Sequence, residues 1–236
     1  VFTDSIHVNL NNPASYGFSK VTTYSVGINY TNNNLSSSNE SQNSDVASID
    51  YISVSIPAGK FSFGFGLLPL TSVGYRVQGT NETSENQTFN RYEGNGGLNQ
   101  AYLSVGLPIT SYFAIGSTIN YNFGNLFYRT GQFLEGIDNG TFMSNESSVS
   151  GLSFQFSGQF KIPIQKKHTL QGMYSYQPKI GLDSRNSRIF STQSLSTEIL
   201  TDIVRIDLAS SGLENTNLNL SSMTRIGLGY GKNKKW

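Results

Sequence analysis

The sequence has no cysteine among its 236 residues, and charged residues make up only 13% of it. Without cysteine, the chain can form neither a disulfide framework nor a thiolate metal site. The charged fraction is about half of the roughly 25% that is typical of soluble globular proteins. The net charge of +1 gives no electrostatic reason to bind nucleic acid. No run of about 18 apolar residues occurs, so the sequence predicts no transmembrane helix.

What the chain does have is strict two-residue alternation in segments of about ten residues. Phe61, Phe63 and Phe65, for example, alternate with Ser62 and Gly64. Because successive side chains of a strand point to opposite faces, each such segment has one apolar and one polar face. We expect these side chains to face lipid or an apposed protein: Phe61, Phe63, Phe65, Phe154, Phe156 and Phe160. Gln155 and Gln159 are expected to face a lumen.

The pattern predicts an all-β fold, namely an antiparallel transmembrane β-barrel of the outer-membrane type, with about eight strands in this chain. The strands are predicted near 20–30, 47–56, 61–77, 100–107, 112–123, 150–162, 168–176 and 223–230, with a further alternating piece at 204–208. A change of phase between Tyr51 and Ile52 predicts a bulge or a fully buried patch, and Pro69 predicts a bend in the third strand. A soluble β-sandwich is the alternative, since alternation alone also fits that fold.

The connections between these strands are alternately short and long. The short ones are 57–60, 108–111, 163–167 and 231–235, and the long ones, rich in Asn, Ser and Gly, are 31–46, 79–97, 129–148 and 178–202. Outer-membrane barrels have short periplasmic turns and longer extracellular loops. The predicted location is therefore the bacterial outer membrane, with the N-terminus and short turns periplasmic and the long loops extracellular.

Two segments resemble the FadL-like outer-membrane family. Asn12-Pro13-Ala14-Ser15, just before the first strand, is similar to that family's link between an N-terminal hatch and the barrel, and residues 218–236 resemble its strand–turn element before a mid-barrel strand. The Asn- and Ser-rich texture is similar to members from Bacteroidetes. The resemblance implies a barrel of about 14 strands, of which this chain would be the N-terminal part. It also implies a hatch remnant at 1–17 followed by the barrel at 18–236.

The resemblance further implies passage of hydrophobic small molecules across the outer membrane. The alternative is a structural or plug subunit of a larger outer-membrane complex, such as the type IX secretion translocon, that transports nothing. The expected partners are outer-membrane lipid or lipopolysaccharide, together with either a hydrophobic small molecule or a larger membrane protein. No nucleic-acid partner is expected.

Candidate sites are few. The only histidines are His7 and His168, and no catalytic motif accompanies them, so we expect no enzyme. No cofactor is expected, and the loop carboxylates lack a regular metal-ligand spacing. The segment 129–148 carries a set of apolar residues, which we interpret as a ligand or partner contact: Phe133, Leu134, Ile137, Phe142 and Met143. The other interpretation is that these residues pack on one another as a lid.

Overall fold

The computed structural model is almost entirely one antiparallel β-sheet. It describes residues 9–36, 41–81, 88–164, 168–194, 196–197 and 199–232. Within those ranges, no helix has the length and apolar character needed to cross a membrane. The one helix among these described residues is a short 3₁₀ helix, Pro13–Phe18.

Eleven strands form the sheet. They are β1 Thr23–Ser36, β2 Ser41–Ala58, β3 Phe61–Asn81, β4 Thr88–Pro108, β5 Phe113–Leu134, β6 Asn139–Ile164, β7 His168–Gln177, β8 Ile180–Ser194, β9 Leu200–Ile206, β10 Asn215–Leu220 and β11 Met223–Lys232. Neighbours along the main path run β1-β2-β3-β4-β5-β6-β7-β11. This path has eight strands, as the alternation predicted.

The other three strands, β8, β9 and β10, lie off that path. They join it through β8, which pairs with β6. β6 pairs with β7 through its C-terminal part and with β8 through its N-terminal part, so β8 continues the line of β7 after a break that contains Pro178. β10 pairs with β8 and β11 with β7. β9 pairs with the outer part of β8. Within the described residues the sheet is barrel-like but not closed, because β1 and β11 are not hydrogen-bonded to each other.

The alternation in the sequence produces two different faces. Across β4, β5 and β6, the registered rows Leu103–Ile119–Phe154 and Ala101–Tyr121–Leu152 are apolar. The rows between and beside them are polar or small, namely Tyr102–Asn120–Ser153, Ser104–Thr118–Gln155 and Gly106–Gly116–Ser157. The first face is solvent-exposed and the second is buried. We call the first the apolar band and the second the inner face.

The alternating residues lie as the sequence predicted. Phe61, Phe63, Phe65, Phe154 and Phe156 are exposed on the apolar band, with Phe160 beside them partly buried. Gln155 and Gln159 are buried on the inner face. The all-β, barrel-like fold class is therefore confirmed.

The register is irregular close to both predicted positions, although the structure shows a register shift at Pro69 rather than the predicted bend. The β1–β2 register shifts so that Gly27 pairs with Tyr51 and Ile28 with Ile49, which leaves Asp50 as the extra residue of a bulge. In β3 the register with β4 shifts between Pro69 and Thr71. A proline cannot donate to the ladder, so the sheet accommodates it at this irregularity.

The four predicted long loops are wrong. The segments 31–46, 79–97, 129–148 and 178–202 are largely strand, and the turns that the structure describes among them are short. The strands β4, β5 and β6 are 21, 22 and 26 residues long, about twice the 9–11 residues that cross a bilayer. Their distal halves carry polar rows such as Gly97–Asn125–Ser148. Strands pair through backbone hydrogen bonds, which need no apolar side chains. A strand that is polar on both faces therefore forms without any period-two alternation of apolar and polar residues in its sequence.

Candidate functional site

The segment Asn12–Phe18 lies against the inner face, and we call it the N-terminal plug. Asn12 has φ −145° and ψ 84°, which lies outside the helical region that a following proline disfavours. Pro13 then supplies the φ that suits the first position of a helical turn. The turn is closed by hydrogen bonds from the Ser15 amide to the Asn12 carbonyl (2.9 Å) and from the Ser19 amide to the Tyr16 carbonyl (2.9 Å). A single 3₁₀ turn therefore forms where Asn-Pro-Ala occurs in the sequence.

Three side chains of β6 hold the plug. The Asn12 amide donates to Gln159 Oε1 at 2.6 Å, and the backbone N–H of Ala14 donates to Ser157 Oγ at 2.7 Å. The Gln155 amide donates to the Asn11 carbonyl at 2.8 Å. Positions 155, 157 and 159 are two apart, so all three point to the inner face. Asn12 and Ala14 are completely buried there.

Glycines on neighbouring strands make room for the plug. Gly106 on β4 and Gly116 on β5 are paired in register. A Cβ at Gly116 would collide with the backbone of Pro13 and Ala14, and a Cβ at Gly106 would collide with Gly17 and Tyr16. Because neither residue has a side chain, Gly106 and Gly116 leave a shallow groove in the inner face, which the plug occupies. We call this groove the trough.

Tyr16 extends the plug towards β3 and β4. Its ring lies where a side chain at Gly64 would be, and its hydroxyl donates to the Tyr102 hydroxyl at 3.4 Å. Tyr102 in turn shares a 2.6 Å hydrogen bond with Ser53 Oγ. Burial raises the pKa of Tyr16 well above its usual range, and neighbouring Tyr102 raises it further. The phenol therefore stays neutral inside the sheet.

Next to the plug, the inner face is a hydrogen-bonded polar network. Ser104 and Thr118 share a bond of 2.7 Å, Asn122 donates to Ser153 at 2.9 Å, and Gln155 donates to Ser175 at 2.8 Å. These groups are hydroxyls and amides, which orient one another but carry no charge. Together with the plug they cover this part of the inner face with polar contacts, and farther along the strands the inner face carries the buried apolar cluster of Leu98, Val149 and Leu182.

The structure does not bring together the five apolar residues predicted in 129–148. Phe133 and Phe142 are buried against each other, edge to face at 5.1 Å, and the guanidinium of Arg129 lies 3.9 Å from the Phe142 ring centroid. Leu134 and Ile137 are exposed near the hairpin turn. Met143 is partly buried and is registered opposite Phe190 of β8. The proposed contact of these residues with a ligand or partner stays a prediction.

The other predicted features are placed as follows. His168 Nδ1 is 2.6 Å from the Tyr230 hydroxyl, and the two rings stack across β7 and β11. His7 lies outside the described residues. In the described part of the chain, no group of three His, Asp or Glu residues is arranged to hold a metal ion. The domain boundary after residue 17 stays a prediction, although the 3₁₀ helix continues through Phe18.

Sequence reasoning found Asn12, Pro13 and Ala14 but missed Tyr16, Gly106 and Gly116. Gly106 and Gly116 lie five residues on either side of Ser111, which is the centre of the observed β4–β5 register. Residues placed symmetrically about a hairpin turn face each other across the two strands. Two glycines in that relation predict a close backbone approach at one point of the sheet.

Comparison with known proteins gives one finding. A family model described as BamG matches residues 1–236, which is the whole chain. No curated protein and no solved structure matches it. The matched family is not the FadL-like family, so the resemblance drawn from Asn12-Pro13-Ala14 and from residues 218–236 is wrong. The expected transport of hydrophobic small molecules, and the alternative of a secretion-translocon subunit, are overturned with it.

Proposed function

Because the chain belongs to the BamG family, we propose that it is a non-catalytic subunit of the outer-membrane complex that assembles β-barrels (the BAM complex). Membership of the family implies association with the outer membrane and with a protein complex there. The observation that carries the finer proposal is the N-terminal plug. A sheet whose inner face is occupied by its own chain on β3–β6 is suited to a structural role, because the plug takes up space that a transported molecule would need.

The apolar band is the surface that would contact outer-membrane lipid. On β4, β5 and β6 it covers the half of each strand nearest the turns after β4 and after β6, and outward apolar side chains at this spacing are typical of transmembrane barrels. We propose that the short turns and the N-terminus lie towards the periplasm and that the distal halves of β3–β6 extend outside the cell. The role needs no cofactor and no catalytic residue.

The proposal is tested with the full-length protein in its own membranes. A tagged chain, solubilised in mild detergent, should co-purify stoichiometrically with the central barrel subunit of the assembly complex. Depletion of the chain should lower the amounts of folded outer-membrane barrels while leaving periplasmic proteins unchanged. If the chain purifies alone and its depletion leaves barrel levels unchanged, the proposed function is wrong.

A further inference from the structure

A polar cavity lies on the outward face of the sheet, where β6, β8 and β10 run side by side. Its volume is about 550 Å³, within the roughly 300–1,000 Å³ of small-ligand sites. Two neighbouring rows of registered side chains line it, Ser150–Asp183–Asn217 and Ser148–Arg185–Asn215. We call the space that these six residues line the outer polar cavity.

The lining side chains point away from the inner face. Those of β6 are an even number of residues from Leu152 of the apolar band, and side chains two residues apart on a strand share a face. On β8, Leu182 and Ser184 are buried on the inner face, so Asp183 and Arg185, which alternate with them, point outward and are exposed. The lining residues of β10 are registered opposite those two and are also exposed. The cavity therefore opens on the same face as the apolar band.

Contacts on the opposite face hold the wall of the cavity in place. The Ser184 hydroxyl donates to Asn186 Oδ1 at 3.0 Å, and the Asn186 amide donates to Thr216 Oγ1 at 2.8 Å, which joins β8 to β10. Leu218 of β10 packs against the buried apolar cluster of the inner face. These contacts use none of the six outward side chains. The cavity is therefore pre-formed, as small-ligand sites usually are.

The lining groups have hydrogen-bonding capacity that the protein does not use. In the part of the chain that the structure describes, none of the six side chains makes a hydrogen bond or an ion pair with another residue. The serine hydroxyls and asparagine amides can donate and accept, the Asp183 carboxylate only accepts, and the Arg185 guanidinium only donates. A ligand with several hydroxyl groups and an anionic group matches this set.

A phosphorylated sugar has that chemistry. Its hydroxyls can donate to Asp183 and exchange hydrogen bonds with the serines and asparagines, and its phosphate can accept two parallel hydrogen bonds from Arg185. A protein partner matches the cavity less well, because the centres of protein interfaces are rich in aromatic and other apolar side chains. All the residues that line the cavity are polar.

The height of the cavity on the sheet indicates where such a sugar would come from. Leu152 belongs to the more distal of the two apolar rows described above, and Ser150 and Ser148 are two and four residues beyond it. At 3.3 Å per residue they lie roughly 7 and 13 Å further out, which is the level of the headgroups that flank the hydrocarbon core. In the proposed orientation these headgroups belong to the outer leaflet, which in bacterial outer membranes is rich in lipopolysaccharide.

We propose that the outer polar cavity binds the phosphorylated sugar headgroup of an outer-leaflet glycolipid. Arg185 binds the phosphate, Asp183 accepts hydrogen bonds from sugar hydroxyls, and the serine and asparagine side chains bind the remaining hydroxyls. This goes beyond the proposed function, because it assigns a ligand to the chain itself. It rests on that function for the placement of the apolar band in the outer membrane.

The test measures binding of phosphorylated lipid A, the sugar-bearing anchor of lipopolysaccharide, to the full-length protein in mild detergent by native mass spectrometry. Arg185→Ala should weaken binding about tenfold, because it removes the charge-assisted hydrogen bonds to the phosphate. Arg185→Lys should recover only part of the affinity, since it keeps the charge without the planar fork. Arg205→Ala is the matched control, because Arg205 on β9 is also an exposed arginine but does not line the cavity. Equal losses at the two arginines would mean unspecific attraction of the lipid and would overturn the proposal.

Two further probes separate recognition of the sugar from recognition of phosphate alone. Phosphatidylglycerol, which has a phosphate but no sugar ring, should bind more weakly than lipid A, and an excess of inorganic phosphate should not displace lipid A. Ser150→Phe places a ring in the cavity and should lower lipid A binding while leaving phosphatidylglycerol binding unchanged. Equal binding of the two lipids, or displacement by inorganic phosphate, would contradict a sugar site.

Co-purification with the central subunit of the assembly complex is measured on the same variants, and heat-modifiable mobility on gels reports whether each variant folds. If folded Arg185→Ala and Ser150→Phe bind lipid A as the wild type does, the assignment of the cavity is wrong and the proposed function stands. If the wild type binds lipid A through Arg185 but does not co-purify with the central subunit, the proposed function fails and the glycolipid site stands.

Discussion

Gly116 has no side chain at a point where Pro13 and Ala14 pass within contact distance of the sheet. Its role is thus spatial, and the same is true of Gly64 beneath the ring of Tyr16. Neither glycine has a positive φ, so backbone conformation does not require them. The plug is admitted by the absence of Cβ atoms and then held by the amide and hydroxyl groups of β6.

We expect Gly116→Ala to destabilise the protein by about 1–3 kcal/mol, because an added methyl group in a filled site forces the backbone of the plug to shift. Gly74→Ala is the matched control, since Gly74 is also in a strand and a Cβ there would meet nothing within 4 Å. Equilibrium unfolding of the refolded protein in urea checks both variants. Equal stability of the two would contradict the tight packing of the plug.

Tyr16 gives the plug a dependence on pH. Its pKa is raised in the folded protein, mainly by burial. The unfolded chain has a tyrosine pKa of about 10. Below that pH the phenol is neutral in both states and its contribution to stability is complete. Above that pH the unfolded chain ionises more readily than the folded protein, so this contribution is lost as the pH rises. We expect the wild type to lose stability between about pH 10 and 11 by more than Tyr16→Phe does. Unfolding measured across that range at constant ionic strength would show parallel losses if the plug were not docked.

At the scale of elements, a carboxylate joins two hairpins. Asp138, at the β5–β6 turn, accepts hydrogen bonds from the hydroxyls of Ser194 (2.7 Å) and Ser196 (2.9 Å) and from the Ser196 amide (3.0 Å), all at the end of β8. The Ser194 hydroxyl, followed by that of Ser196, holds the pKa of Asp138 below its usual range. The tip of the β5–β6 hairpin is thus tied to the end of β8.

We expect the hydrogen bonds to Asp138 to be intact at neutral pH and to be lost as pH falls through its lowered pKa. A lowered pKa means that the folded protein stabilises the ionised carboxylate, and protonation removes that stabilisation. Asp138→Asn should mimic the acid state at every pH. Hydrogen exchange of the Ser196 amide reports the change, with Asp207→Asn as a control carboxylate that lies away from the two tips. A Ser196 amide that exchanges equally fast in wild type and Asp138→Asn would exclude the tie.

The elements also show how far the sequence could predict this structure. The β-strands near the short turns were predictable because Phe61–Phe65 and Leu152–Phe160 keep strict period-two alternation. The distal strands were not, since a stretch such as Ser144–Ser148 is polar on both faces and low in β-propensity. Of the site, Asn12-Pro13-Ala14 was noticed for its motif, but its burial depends on Ser157 and Gln159, more than 140 residues away. Local pattern cannot report such a contact.

At the scale of the whole molecule, the sheet divides into a proximal half with an apolar band and a distal half whose rows are mostly polar, with scattered exposed apolar side chains such as Val77 and Phe127. The division runs across all the long strands at a similar height, near the row Ala101–Tyr121–Leu152. A boundary shared by neighbouring strands indicates a change of surroundings rather than a property of any one strand. It is the position at which we expect the hydrocarbon core of the membrane to end.

Phe156→Arg should therefore cost roughly 2–4 kcal/mol if the site is near the bilayer midplane, whereas Val77→Arg should cost little. The two side chains are similarly exposed, at 51% and 54%, so solvent exposure alone predicts equal effects. Folding into lipid vesicles, followed by denaturant titration, distinguishes the two positions. A smaller loss at Phe156 than at Val77 would place the bilayer at the other half of the sheet.

The plug has a consequence for the order in which the molecule can assemble. The hydrogen bond from Asn12 to Gln159 joins residues 147 positions apart, and Ala14 bonds to Ser157 across 143. Contacts between such distant residues close a large loop and form only after the intervening chain is ordered. The described 3₁₀ helix precedes every strand in the sequence, yet it can dock only after β6 has formed. Until then its trough, formed by Gly106 and Gly116 beside Ser157, is open to water.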